Sequence, residues 1–264
     1  MRRVRILSLN AWGGARWEQL AAWLPTTGAD VVCLQEVTRT PGLAGWTAFT
    51  DGEHHLPQRA DLVEDVSRLL PGHHAEFVAC DSGPVRDAEG RRWRQEFGLG
   101  TWTSARLPLL STASRFVHGD LLDHDEWPTG GRPRAALAVR VAAPRPLLVV
   151  QLHGLRDPAG KQDTPERRAQ AERLAAFVQD ARRPDDLVVV CGDLNLLPSS
   201  ETFAVLAEVG LTDLVGEADT RTAHYPRPVR HASYLLVSEP AAVQDFRVVA
   251  EPIVSDHCAL VLDI

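Results

Sequence analysis

A mixed α/β fold, in which sheets are covered by helices, is what this sequence predicts. Three observations carry that expectation. Near the start, short β-rich runs alternate with an amphipathic helix, the pattern of buried sheet. Later β-rich runs come in closely spaced pairs, as antiparallel strands do. The composition, 44% hydrophobic and 24% charged, is that of an ordinary folded globular chain.

Val4–Leu9 and Val31–Gln35 read as buried strands, with a helix around Arg16–Leu24 between them. Gln58–Leu70 carries Leu62, Val63, Val66, Leu69 and Leu70 at helical spacing, and Pro71-Gly72 stops it. Ala135–Val141 and Leu147–Leu152 read as a strand pair across the turn Ala143–Pro146. Thr164 caps the next helix, Pro165 takes its first position, and it runs to Arg182. Glu166 in that first turn complements the helix dipole. Leu187–Cys191 is a further buried strand, followed by a short helix at Ser200–Glu208 and strands at Tyr234–Val237 and Ala259–Ile264. The irregular stretches Thr50–Pro57, Gly83–Gly90 and Gly119–Pro133 read as surface loops. With no internal repeat and no low-complexity linker, residues 1–264 read as one domain, a length that can bury its own core.

Charge and cysteine usage narrow the function classes. The formal net charge of −7 argues against a long nucleic-acid partner, because phosphate neutralisation by a basic face supplies most of such affinity. A small phosphorylated molecule fits better. Cys33, Cys80, Cys191 and Cys258 show no paired spacing and read as free, mostly buried thiols. The apolar run after the basic N-terminus is too short for a signal-peptide core, and no stretch could span a bilayer. The expected setting is cytoplasmic, with no membrane partner. Of 28 basic residues, only Lys161 is lysine. Its survival marks a place where a compact ammonium is wanted.

Chemistry-bearing residues cluster where strands end. Asn10 closes the first strand, Gln35-Glu36 the second, and His153 comes after Leu147–Leu152. Asp193 and Asn195 come after Leu187–Cys191, and Ser255-Asp256-His257 precedes the last strand. Each alone has a plain explanation as a turn residue or a solvated side chain. Together they supply the groups that phosphoester cleavage needs: carboxylates for a hard cation, imidazoles for proton transfer and amides for anionic oxygens.

The strings Leu7-Ser8-Leu9-Asn10, Leu34-Gln35-Glu36, Gly192-Asp193-Leu194-Asn195 and Ser255-Asp256-His257 resemble, in order, the motifs of the endonuclease/exonuclease/phosphatase superfamily. Phe97–Pro108 is similar to its central strand, with Leu99 where an Asn is common. The resemblance implies a DNase I-like, four-layer αββα sandwich of two mixed, mostly antiparallel sheets. It implies a hydrolase of phosphoric esters using Mg²⁺, with Mn²⁺ as the alternative. Asn10, Glu36 and Asp256 would serve the metal. Asp193 would orient or activate water, Asn195 would hold a phosphate oxygen, His257 would act as base or phosphate contact, and His153 would stabilise charge on phosphorus.

One position departs from that pattern. In His231-Ala232-Ser233-Tyr234-Leu235-Leu236-Val237-Ser238, Ser233 stands where the family commonly has an Asp that orients the histidine of the last motif. A serine accepts a hydrogen bond but brings no charge, which leaves a slower enzyme, a substitute carboxylate or a weakened site as readings. The loop Gly154–Thr164 offers Arg156 and Lys161 as substrate contacts, with Arg132 and Arg134 as weaker ones. Trp12 could stack beside the metal, and Trp93 and Trp127 lie in polar stretches suited to a rim. Two other readings stay open: a metal-dependent DNA or RNA nuclease, and an impaired member of the fold that binds RNA or protein. Oligomeric state is not legible.

Overall fold

The computed structural model describes residues 3–52, 54–157 and 159–264. Its elements are, in chain order, β1 (Arg5–Asn10), α1 (Trp17–Trp23), β2 (Val31–Arg39), β3 (Trp46–Asp51), β4 (His54–Arg59), α2 (Leu62–Leu69), β5 (His73–Arg86) and β6 (Arg92–Ser104). Then come β7 (Leu109–His118), β8 (Leu122–Asp123), β9 (Arg134–Val141), β10 (Leu147–His153), α3 (Pro165–Ala181) and β11 (Leu187–Asp193). The chain closes with α4 (Glu201–Glu208), β12 (Thr212–Asp213), β13 (Ser233–Val237), β14 (Asp245–Val249) and β15 (Ala259–Asp263).

The strands form two mixed sheets. One runs β14-β15-β1-β2-β6-β5-β3-β4 with β8 added beside β5, and the other runs β12-β13-β11-β10-β9-β7. Each holds one parallel pair that matters for the site, β1 with β2 and β10 with β11. Strand alternation sets the layers. Ile6, Cys33, Leu260 and Leu262 turn into the core between the sheets, while Leu7, Leu9, Val32, Leu34 and Val261 turn outward under Leu20, Leu62 and Val66 of α1 and α2. On the far side α3 and α4 cover the second sheet through Ala171, Leu174, Val178, Val205 and Leu206. The order is helices, sheet, sheet, helices. A buried amide contact ties the sheets together: Gln35 Nε2 donates to Gln151 Oε1 at 2.9 Å, and Gln151 Nε2 donates to Gly100 O at 2.7 Å.

Helix starts obey capping chemistry. Thr164 and Ser200 accept N–H groups from the first turns of α3 and α4, as expected from Ser/Thr caps. The helix expected over Gln58–Leu70 is shorter: Asp61 caps it by accepting the Glu64 N–H at 3.0 Å, and Gln58 and Arg59 belong to β4. Thr50–Pro57, expected as a loop, is largely strand, and so is the first half of Gly83–Gly90, with Asp87–Gly90 a turn. Pro57 fits because β4 is an edge strand, where a missing N–H breaks no ladder bond. Gly83 answers to packing, since a Cβ there would lie 2.6 Å from the Trp127 ring. Gly119–Pro133 is irregular apart from β8. All four cysteines are free and buried. No helix among the described residues is long and apolar enough to cross a membrane.

Candidate active site

The two parallel pairs bring their carboxyl ends to one edge of the sandwich. Asn10 sits opposite Gln35 where the β1–β2 pairing ends, and His153 sits opposite Asp193 at the end of β10 and β11. Gln35-Glu36, expected to close the second strand, lies within β2, which runs on to Arg39. Antiparallel β13 begins there with Ser233, which pairs with Asp193, and Asp256-His257 enters just before β15. Ligands gather at strand carboxyl ends in sheets of this kind because side chains and loops converge there.

Local backbone irregularity aims the key groups. Glu36 is the extra residue of a β-bulge between Gln35 and Val37 and lies in the left-handed region, with φ 55°. The bulge turns its carboxylate toward Asp193. Trp12 (φ 52°) and Asn195 (φ 56°) are the other non-glycine residues with positive φ among those described, and all three border the same cleft. Left-handed backbone of this kind costs of order 1–2 kcal/mol for a side-chain-bearing residue and concentrates at functional sites. Gly192 is required at φ 141°, because a Cβ there would lie 1.9 Å from Leu152 O in the neighbouring strand. That close approach sets Asp193 beside His153.

Oε1 of Glu36, Nε2 of His153 and Oδ2 of Asp193 lie within 4.8 Å of one another. Asn10 Nδ2 donates to Glu36 Oε1 and to Asp193 Oδ2, each at 3.0 Å, while Asn10 Oδ1 accepts the Trp12 N–H. Two carboxylates and an imidazole at this spacing suit a small divalent cation that keeps some of its water. Of the metal residues anticipated from the sequence, Glu36 stands in this cluster. Asn10 holds both carboxylates through its amide, and Asp256 pairs with Arg221. His153 and Asp193, anticipated as catalytic, supply the other two donor atoms.

His257 is buried with its ring bridging two partners. Its Nδ1 lies 2.9 Å from Ser233 Oγ, and its Nε2 lies 3.3 Å from Asp193 Oδ2. The expected interaction between position 233 and this histidine is therefore present, with a hydroxyl in place of a carboxylate. Burial pushes the Asp193 carboxyl up, but His153, Arg221, Lys161 and the Asn10 amide outweigh it and hold it below the usual carboxylate range. Burial drives both His153 and His257 well below the usual imidazole range, which favours the neutral rings. Beside an ionised Asp193 the favoured tautomer of His257 carries its proton on Nε2, leaving Nδ1 to accept the Ser233 hydroxyl.

Cations ring the cluster. Burial lowers Lys161 to about 8, and its ammonium donates to His231 O at the approach to β13. Arg156 is exposed on the cleft wall. Arg167 of α3 is buried, and its guanidinium donates to Gln162 O, to Gly160 O at 2.9 Å and to Leu155 O at 3.4 Å, clamping the loop that carries both. Gln170 adds an acceptor for the Leu155 N–H at 3.2 Å. Arg221, which nothing in the sequence singled out, donates to Asp256 Oδ2, approaches Asp193 Oδ2 at 4.0 Å and stacks 4.1 Å from the Tyr225 ring. It lies in an irregular stretch and reaches the site through a lone backbone bridge to His257, a pairing without sequence pattern. Burial raises the Asp256 carboxyl to about 6 despite Arg221 beside it.

These groups open into a cleft of about 580 Å³. Trp12 and Asn195 line it, and Leu99, at the position where the resemblance suggested an amide, is buried against Cys80, Ala135 and Leu137 instead. Trp127 is not a rim residue: it is 5% exposed and packs against Phe49 and Phe97 behind the cleft wall. Trp93 donates to Asp87 at 2.9 Å and does not line the cleft.

The profile of the Endonuclease/Exonuclease/phosphatase family matches residues 7–257. Among curated proteins none matches the chain. Similar solved structures include an endonuclease/exonuclease/phosphatase from Beutenbergia cavernae DSM 12333, with 21% identity, TM-score 0.64 and coverage of 100% of this chain and 71% of that one. Also similar is D. rerio TDP2 complexed with single-strand DNA product, at 16% identity, TM-score 0.67 and coverage of 100% and 99%. A third is a mannosyl-6-phosphatase of Bacteroides thetaiotaomicron VPI-5482, at 12% identity, TM-score 0.69 and coverage of 98% of each chain. At these identities the structures speak to the fold, whereas the profile spans nearly the whole chain and all four strand-end motifs, so the chain belongs to the endonuclease/exonuclease/phosphatase family.

Proposed function

We propose that this chain hydrolyses a phosphoester of a small molecule with the help of a divalent cation, Mg²⁺ first and Mn²⁺ second. The observation that carries the reading is the Glu36–His153–Asp193 donor cluster, opening onto a cleft edged with cations. A bound cation would draw charge off the phosphoryl oxygens and position the ester. Asn10 holds Glu36 and Asp193 in register for it, and Asp256 sits beside them under Arg221. Asp193, ionised and fixed, orients a water for attack. Asn195 holds a phosphoryl oxygen, His153 adds an imidazole nitrogen to the donor cluster, and buried His257 fixes Asp193 through its Nε2. Lys161 and Arg156 attract the anion.

The preference for a small substrate rests on the net charge of −7 and on a bounded cleft of about 580 Å³, one wall of which is backed by Phe49, Phe97 and Trp127. A nuclease is the second reading, favoured by the likeness to a structure that holds single-strand DNA product. Both are tested by a panel of sugar phosphates, nucleotides and short DNA and RNA with Mg²⁺, Mn²⁺ or EDTA. The small-substrate reading expects EDTA-sensitive release from a phosphorylated small molecule, lowered by roughly 100-fold or more in Glu36→Gln. Cleavage confined to polynucleotides would replace it with the nuclease. Turnover by neither the parent nor Ser233→Asp would point to a binding member of the fold.

A further inference from the structure

Arg134 opens β9 and is 4% exposed, yet its guanidinium makes no hydrogen bond or ion pair among the described residues, and Nε is buried without a partner. It lines the cleft. Two positions earlier, Arg132 also lines the cleft and is rigidly held: Asp81, itself buried, takes its Nε at 2.7 Å and Nη2 at 2.8 Å. The Arg132 guanidinium carbon lies 4.2 Å from the Phe97 ring centre and 4.6 Å from that of Trp127, a box that leaves Nη1 unused. Asp81 is therefore taken up by half-buried Arg132 and by His124, and buried Arg134 has no carboxylate paired with it among the described residues.

An unpaired buried cation is expensive unless an anion completes it. Neither arginine belongs to the donor cluster around Glu36. Both are on the stretch entering β9, and Arg134 is near enough to weigh on His153 at the margin of that cluster. The cleft, at about 580 Å³, has room for a molecule reaching from the donor cluster to this wall.

We propose that Arg134, with Arg132 fixed beside it, forms a second anion subsite for the leaving-group side of the substrate. The preferred substrate is then a small phosphoester that carries a second anionic group, a further phosphate or a carboxylate. This rests on the phosphoesterase reading for its catalytic consequence, but the subsite itself is testable without turnover.

The catalytic arm compares phenyl phosphate with 4-carboxyphenyl phosphate and 1,4-phenylene bisphosphate. The parent should favour the doubly anionic esters by roughly 30-fold in kcat/KM, the scale of a charge-assisted pair. Arg134→Met should reduce that preference below about threefold on the same scale. Equal losses on all three esters would make Arg134 a grip on the scissile phosphate and overturn the proposal, as would a parent without preference. Should Arg134→Met not fold, Arg132→Met carries the same expectation. The binding arm titrates inorganic pyrophosphate calorimetrically in EDTA: the parent should bind it, and Arg134→Met should bind roughly tenfold or more weakly. If none of these three esters is turned over, the titration alone decides the subsite. Affinity unchanged in Arg134→Met, or absent in the parent, overturns it.

Discussion

At the residue scale, the departure at position 233 sets the chemistry of His257. A carboxylate there would hold the proton on Nδ1 and stabilise an imidazolium; the Ser233 hydroxyl at 2.9 Å does neither. Ser233→Asp is expected to raise kcat by at least about tenfold, since loss of such a carboxylate costs roughly 10⁴ in a serine-protease triad. An unchanged kcat in steady-state assays would show that His257 handles no proton. Ser233→Ala removes the partner of buried Nδ1 and should lower thermal stability by about 1–3 kcal/mol in a melt. Lys161 supplies the pH dependence. Burial lowers it to about 8, so its ammonium is present below that pH and lost above it. KM for an anionic substrate should rise, roughly tenfold, as pH climbs through 8, and Lys161→Arg should flatten the profile because a guanidinium stays charged. Asn10, Glu36, His153, Asp193 and His257 were legible because buried strands have a strong apolar pattern, and that pattern also locates the polar residues at the strand ends. Arg221 was not, because an irregular segment delivers it.

At the scale of elements, the site depends on two backbone devices and one clamp. The bulge at Glu36 and the φ of 141° at Gly192 make the parallel strand ends usable. Gly192→Ala would drive a Cβ to 1.9 Å from Leu152 O, and a loss of about 3 kcal/mol or more in chemical denaturation is expected. The clamp is Arg167, which holds three carbonyls of the loop bearing Arg156 and Lys161. Arg167→Met should raise KM by roughly tenfold with kcat within about threefold, because it loosens the substrate contacts and leaves the donor cluster intact. A fall in kcat alone would contradict that assignment. Helices α3 and α4 were readable from their Thr and Ser caps. Strands β3, β4, β5 and β7 were not: they are partly exposed, β4 and β5 carry Pro57, Gly83 and Pro84, and long-range pairing rather than apolar runs defines them. Strand β6 was anticipated over its second half through the resemblance of Phe97–Pro108.

For the whole molecule, two sheets packed face to face bring the polar groups of β1, β2, β10 and β11 to one edge, and the helices outside cover the central strands of both sheets. The sheets contribute different halves of the chemistry. Glu36 and Asn10 come from one, His153, Asp193 and Ser233 from the other, so a cation at their junction would also join the two sheets. The motifs made this sandwich legible through the resemblance they carry, whereas the cleft wall of Phe49, Phe97, Trp127 and Arg132 assembles residues distant in sequence. A substrate panel can miss the substrate, but the cation site does not depend on knowing it. The most direct measurement is therefore Mn²⁺ titration monitored by electron paramagnetic resonance, on the parent and on Glu36→Gln. The account predicts saturable binding by the parent in the millimolar range or tighter, competed by Mg²⁺ and weakened by roughly tenfold or more in Glu36→Gln. No saturable binding by the parent, or equal binding by both proteins, would contradict it.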